Sequence, residues 1–190
     1  VIAKRKPKKC RICPEKFVPC RMGQFACSVK CAIEWSNRQS EKKKKAQHRA
    51  DKERIKTRGA WLNDCKNACN AYVRERDHDQ PCISCDKPPS PQIYGGQWDA
   101  GHYRSVGSAP HIRFVLNNIH KQCVYCNRDL DGNIVAYRPR LIERIGLATV
   151  EAIEADQAPR KYSIEEIRAM TANFRKLTRE LKKRREYDTA

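Results

Sequence analysis

Apolar residues fall at helical spacing over residues 61–73, where Trp61, Leu62, Cys65, Ala68, Cys69, Tyr72 and Val73 line one stripe before a polar run at 74–80. The pattern predicts a helix that packs on the domain C-terminal to it. Cys65 and Cys69, four apart, read as core thiols, with a metal pair as the alternative. A second stripe of Ile164, Ile167, Met170, Phe174, Leu177 and Leu181 predicts a long C-terminal helix. Ser163 stands three before Glu166, the spacing of a capping box that starts that helix. Its apolar face docks either on the same chain or on a second copy. Between the stripes lie an apolar-periodic segment at 141–153, a break at Pro159, and a dense region at 80–137 with Gly, Pro and short β-type runs such as 112–116.

The first part of the chain obeys another rule. Residues 8–35 hold few large apolar side chains, Ile12, Phe17, Val18 and Phe25 among them, too few to bury a core without a staple. Residues 36–58 lack large apolar groups until Ile55 and carry Lys42, Lys43, Lys44, Lys45, Arg49, Lys52, Arg54, Lys56 and Arg58, with no Pro or Gly before Gly59. They read as a solvated basic helix or linker, serving either as a spacer or as a DNA-contacting arm. Four regions result: 1–35, 36–59, 60–138 and 139–190.

Charge narrows the partners. The 190 residues carry 40 Lys+Arg against 22 Asp+Glu, a formal charge of +18. Such a balance favours a polyanion, because each neutralised phosphate releases a condensed counterion. No apolar run is long enough for a membrane span and no signal peptide is visible, so the expected partner is nucleic acid, not membrane, and the expected compartment is a reducing cytoplasm.

In that compartment eleven cysteines point to metal, not to disulfides. They fall as Cys10-x2-Cys13, Cys27-x3-Cys31, Cys82-x2-Cys85 and Cys123-x2-Cys126, which makes two four-thiolate zinc sites. Cys20 is an alternative ligand at the first. Four thiolates leave zinc no open position, so both sites are structural and a hydrolytic metal needs other ligands.

Between the last two pairs lie Trp-Asp-Ala-Gly-His-Tyr-Arg (98–104) and Asn-Asn-Ile-His-Lys-Gln-Cys-Val-Tyr-Cys-Asn (117–127). The spacing resembles the His-Asn-His nucleases, in which a strand delivers a His, a loop an Asn five residues before a Cys-x2-Cys pair, and a helix opens with a third His or Asn. His102, Asn118 and Asn127 occupy those places. The Cys-x2-Cys-Asn ending is similar to phage endonuclease VII. Over nearly the whole chain, including Ala-Tyr-Val-Arg-Glu-Arg-Asp (71–77) and Pro-Cys-Ile-Ser-Cys (81–85), the sequence resembles the lambdoid phage NinG/Rap recombination endonucleases.

The resemblance implies an α+β fold: a small zinc-stapled ββα-metal (HNH-like) core flanked by long basic helices, plus an N-terminal zinc segment. It also implies a structure-specific endonuclease that cuts branched DNA such as Holliday junctions and displacement loops. Phosphodiester hydrolysis needs a base for water and a cation for the charge that builds on phosphorus. His102 is the expected base. Asp99 and Asn127 offer the oxygen ligands that Mg²⁺ or Mn²⁺ requires. Asn118 is expected to hold the loop and orient His102. Many relatives carry an acid directly before the His, where this chain has Gly101; Asp99, three back, needs a bend or bulge to share its face.

His120 either lines the site or hydrogen-bonds structurally, and Arg104 either clamps the scissile phosphate or lies on the surface. Tyr103, Tyr125 and Tyr137 either stack on bases or pack in the core. A homodimer suits two symmetric cuts in a four-way junction. The alternative function is a non-catalytic zinc-dependent DNA- or RNA-binding protein, which the charge and the cysteines alone fit equally well.

Overall fold

The computed structural model describes residues 6–88 and 98–188, and the chain divides into two compact units, Val1–Lys56 and Thr57–Ala190. In the first unit a short antiparallel ladder pairs β1 (Lys8–Lys9) with β2 (Lys16–Phe17), Lys8 facing Phe17. The Cys10–Cys13 turn lies between these strands. Helix α1 (Val29–Arg54) is capped by Ser28, whose side chain accepts from the Cys31 amide. It begins inside the cysteine-rich segment and runs through the basic stretch, so Cys31 is itself helical. None of its residues is buried. Apart from the Phe25–Trp35 ring contact at 4.4 Å and buried Cys10 and Ala26, this unit has little apolar core, and a metal is what its four clustered thiols can add.

In the second unit α2 (Arg58–Arg76) starts at Thr57, whose hydroxyl accepts from the Ala60 amide, and buries Cys65, Ala68, Cys69 and Val73. It packs chiefly against α5 (Ile164–Asp188), through Ile167 and Phe174, with Tyr162, Phe114, Ile119 and Ala100 completing the cluster. The capping box closes as its spacing predicts, Glu166 accepting from the Ser163 amide at 2.8 Å and Ser163 Oγ accepting from the Glu166 amide at 3.1 Å. Both cysteines of α2 are core residues, and α5 buries Ile167, Thr171 and Phe174 against its own chain.

The middle of this unit is a two-stranded antiparallel hairpin of β3 (Trp98–His102) and β4 (Ile119–Cys123), in register from Trp98↔Cys123 to His102↔Ile119. Residues 112–116 are not a strand. They run from the end of one 3-10 turn, Pro110–Ile112, to the start of another, Leu116–Asn118, closed by bonds from Ile112 N to Ala109 O, Val115 N to Ile112 O and Asn118 N to Val115 O. Pro110 in the first turn favours that curl over an extended path. The helix expected to open at Asn127 is a single wide turn, Tyr125–Asp129. Asp131, Gly132 and Asn133 then all adopt positive φ, and α3 (Ile134–Ile145) begins beyond them. Gly146, at φ +81°, separates α3 from α4 (Leu147–Ala155). Tyr137, Leu141, Val150 and Ile153 from these helices cover Ile83, Tyr103, Ala109 and Ile112 in a second core cluster.

The register through Gly101 is regular, without the bulge that the Asp99 spacing suggested. Glycine is required there for space. A Cβ on residue 101 would stand 2.0 Å from Gln122 Oε1 and 3.0 Å from Gln122 Cβ. Gln122 has no room to yield, since it is fully buried and its Nε2 donates to Ser84 Oγ at 2.7 Å and to Gly132 O at 2.6 Å. Gly101→Ala is therefore expected to destabilise the second unit by about 1–3 kcal/mol. In urea unfolding the cost should shrink when Gln122→Ala is present; equal costs in both backgrounds would exclude this clash.

Candidate active site and metal centres

Each cysteine quartet converges. The Sγ atoms of Cys10, Cys13, Cys27 and Cys31 lie within 4.8 Å of one another, as do those of Cys82, Cys85, Cys123 and Cys126. Tetrahedral zinc with bonds of about 2.3 Å sets its sulfurs about 3.8 Å apart. The separations fit: 3.8 Å for Cys27–Cys31, Cys31–Cys13 and Cys85–Cys123, and 3.4 Å for Cys13–Cys27. All eleven thiols are free of disulfides. Cys20 stays outside the first quartet and donates to Gln24 Oε1 instead. The second quartet fastens the end of β4 to the Cys82–Cys85 turn, and Cys123 N donates to Cys82 Sγ, an added bond to a thiolate ligand.

Asn127 comes directly after the ligand Cys126, so the quartet fixes the start of the wide turn that carries it. This asparagine and His102 line one cleft of about 780 Å³, together with Tyr103, Arg104, Ser105, Asp131 and Glu154 among others. His102 ends β3, and its Nε2 donates to the Arg113 carbonyl at 3.1 Å. A carbonyl only accepts, so the ring proton sits on Nε2 and the lone pair is left on Nδ1. Burial lowers the pKa of His102 below the ordinary imidazole value, which keeps that lone pair free near neutrality.

Asp99 is not among the residues lining the cleft. Its Oδ2 accepts from Asn127 Nδ2 at 2.9 Å, and Arg128 forks both oxygens at 2.7 and 2.8 Å. The Arg128 fork, aided by Asn127, holds the Asp99 carboxyl below its usual range. Because the Asn127 amide nitrogen is spent on Asp99, its oxygen is the atom left for the cleft. The Asn127 amide oxygen suits a hard divalent cation, whereas both Asp99 oxygens are engaged and, with no bulge in β3, its carboxylate is not part of the cleft that His102 lines.

Asn118 does not line the cleft. It clasps the main chain of Arg104, its Oδ1 accepting from the amide at 2.8 Å and its Nδ2 donating to the carbonyl at 3.0 Å. Its own carbonyl accepts from the Tyr103 amide. The 3-10 turn is thus tied to the chain just beyond His102. His120 is 3% exposed, contacts the Tyr137 hydroxyl through Nδ1 at 3.3 Å, and is pushed down to a pKa of about 3 by burial and the Arg76 charge. It lies outside the residues lining the cleft. Arg104 lines the cleft, yet its guanidinium caps the end of α4, donating to the carbonyls of Ile153 and Asp156 at 2.8 and 2.6 Å. Tyr103 and Tyr137 are buried and Tyr125 is exposed.

Three contributors had no local motif. Arg113 acts through a main-chain oxygen, which sequence does not encode by residue type. Glu154 reaches the cleft from α4; Arg138 and the Tyr103 hydroxyl hold it at 2.7 and 2.5 Å and lower its pKa to about 2. The Arg128 fork sits one residue past Asn127, and only the pairing of β3 with β4 reveals its partner.

A family profile described as Bacteriophage Lambda NinG protein matches residues 2–186. The chain is 38% identical to protein ninG of Escherichia phage 933W, covering 97% of this chain and 98% of the relative. Similarity to protein ninG of Salmonella phage P22 is 38% over 95% and 97% of the two chains. To protein ninG of Escherichia phage lambda it is 37% over 97% and 98%. No solved structure gives a significant match.

Proposed function

Because the chain belongs to the NinG family of bacteriophage proteins, we propose that it is a metal-dependent endonuclease that cuts branched DNA, Holliday junctions and displacement loops among its substrates, during phage recombination. The observation that carries this reading is the shared cleft of His102 and Asn127, with the imidazole lone pair and the amide oxygen both left open by their partners. A zinc-binding module without catalysis has no need of that pairing.

In this reading His102 Nδ1 takes the proton from the attacking water, and the Arg113 carbonyl holds the ring and steadies the imidazolium that forms. Asn127 Oδ1 would help hold Mg²⁺ or Mn²⁺, an ion that would supply positive charge for the phosphate and the departing oxygen, while Asp99, forked by Arg128, positions the Asn127 amide. Asn118 is a positioning residue that keeps the chain after His102 in place. Arg104 braces the end of α4 against the cleft. Zinc at the two quartets is structural. A two-fold homodimer would present two such clefts to a four-way junction. Among the described residues no helix is long and apolar enough to cross a membrane.

The test is cleavage of end-labelled four-way junction, linear duplex and single strand by zinc-loaded protein, with Mg²⁺ supplied or withheld. Nicks near the branch that require Mg²⁺ are the expected result. Tight junction binding without a cut in Mg²⁺ or Mn²⁺ would leave a zinc-dependent DNA- or RNA-binding protein as the better account.

A further inference from the structure

The two units share the charge unequally. Val1–Lys56 holds 18 of the 40 Lys+Arg but 5 of the 22 Asp+Glu, which places thirteen of the eighteen net positive charges on the unit without the candidate catalytic residues. Within it, residues 40–50 of α1 are exposed throughout. This charge attracts a polyanion but reads no shape.

The same unit also displays apolar surface that its small core does not use. Met22 is 96% exposed, Val29 77% and Ile33 57%. They border a notch of about 870 Å³ between the turn at 20–24 and the start of α1, whose floor includes Phe25 and Ala32. The turn is held firmly. Gln24 Oε1 accepts from the Cys20 amide at 2.8 Å and its Nε2 donates to the Ala26 carbonyl at 3.0 Å, while Gly23 takes the left-handed bend at φ +76°. Met22 is therefore presented on a fixed turn.

A ligand for this surface needs phosphates for the charge and an apolar face for the notch. Intact duplex offers the first only, because its bases are stacked. Nucleic acid exposes a base face where stacking is interrupted, as at a branch, and apolar side chains including Met are known to fill such gaps. We propose that the Met22–Val29–Ile33 notch receives an unstacked base at the branch of a DNA junction, while the basic face of α1 tracks the adjoining phosphates. The proposal rests on the branched-DNA reading and names the surface that measures the branch. Affinity then comes from α1 and branch preference from the notch.

The experiment places 2-aminopurine at the centre of a four-way junction, and separately within linear duplex, and adds full-length zinc-loaded protein without Mg²⁺. The wild type is expected to change the junction fluorescence severalfold. The pair Met22→Ser and Ile33→Ser, neither of them a member of the thiol quartet, should abolish that change and reduce the preference for junction over duplex by about tenfold. Duplex affinity and its salt dependence should stay the same. Zinc content of two per chain verifies that the variant is folded. Lys43→Ala with Lys44→Ala should do the reverse, weakening both substrates alike and keeping the fluorescence change. A Met22/Ile33 variant that keeps wild-type signal and preference overturns the notch while leaving the nuclease reading intact. A variant that loses self-association by light scattering, with its fluorescence change unaltered, assigns the notch to a second copy of the chain and also overturns it. Wild type that neither binds nor cuts the junction removes both readings.

Discussion

His102→Ala is expected to lower junction cleavage by about a thousandfold, the scale of a lost general base, with DNA affinity unchanged. The affinity should hold because the imidazole is largely covered and neutral, and because its bond is to the Arg113 carbonyl, not to an exposed group. Burial lowers the pKa of His102, so the unprotonated ring persists below the ordinary value of 6.5. The wild-type rate should accordingly stay level from neutral pH down to that ordinary value and fall only below it. The residual rate of the variant should lack this acid limb. Cleavage within tenfold of wild type, or an acid limb centred above the ordinary imidazole value, would remove His102 from the role of base.

The second large effect concerns zinc at Cys82, Cys85, Cys123 and Cys126. Structural zinc binding is worth roughly 10–16 kcal/mol in small finger peptides, as much as or more than the ~5–15 kcal/mol that stabilises a whole domain. Cys123→Ser should lower zinc from two ions to one per chain and unfold the hairpin, because this residue ends β4 and faces Trp98 in the ladder. Asn127 lies one residue beyond Cys126, so cleavage should vanish with the fold. Cys13→Ser should also remove one zinc, yet leave the circular dichroism and thermal midpoint of the 57–190 unit in place, since its core clusters contain no residue of the first unit. Mass spectrometry for zinc and thermal melting separate these outcomes. A Cys123→Ser protein that melts like wild type would show that the thiols do not need the ion.

Periodicity disclosed the long elements because their apolar stripes match what they bury: Cys65, Cys69 and Val73 on α2 face Ile167 and Phe174 on α5. The cysteine spacing was equally readable, since two thiolates from one tight turn is a local property. What failed was the short run at 112–116, where β-type residues curl through consecutive 3-10 turns, a choice made by Pro110 and by packing on α3 and α4. Gly101 had a plausible local explanation in a bend, but its reason is the Gln122 side chain across the hairpin. At the candidate site, the residue types of His102, Asp99 and Asn127 were visible. The Arg113 carbonyl, the Arg128 fork and the arrival of Glu154 from α4 were not, because each depends on tertiary position.

The two cysteine quartets also set an order of events during synthesis. Cys10, Cys13, Cys27 and Cys31 close over a short span near the start of the chain, whereas Cys82 and Cys85 must wait for Cys123 and Cys126. Closing the longer loop costs more chain entropy, and domains mature from the N-terminus as the ribosome delivers them. The emerging chain thus completes its basic, four-thiol unit well before Asn127 exists. On the proposed function, a half-made chain would hold nucleic acid without being able to cut it, and the late quartet would set the moment at which the nascent chain becomes competent.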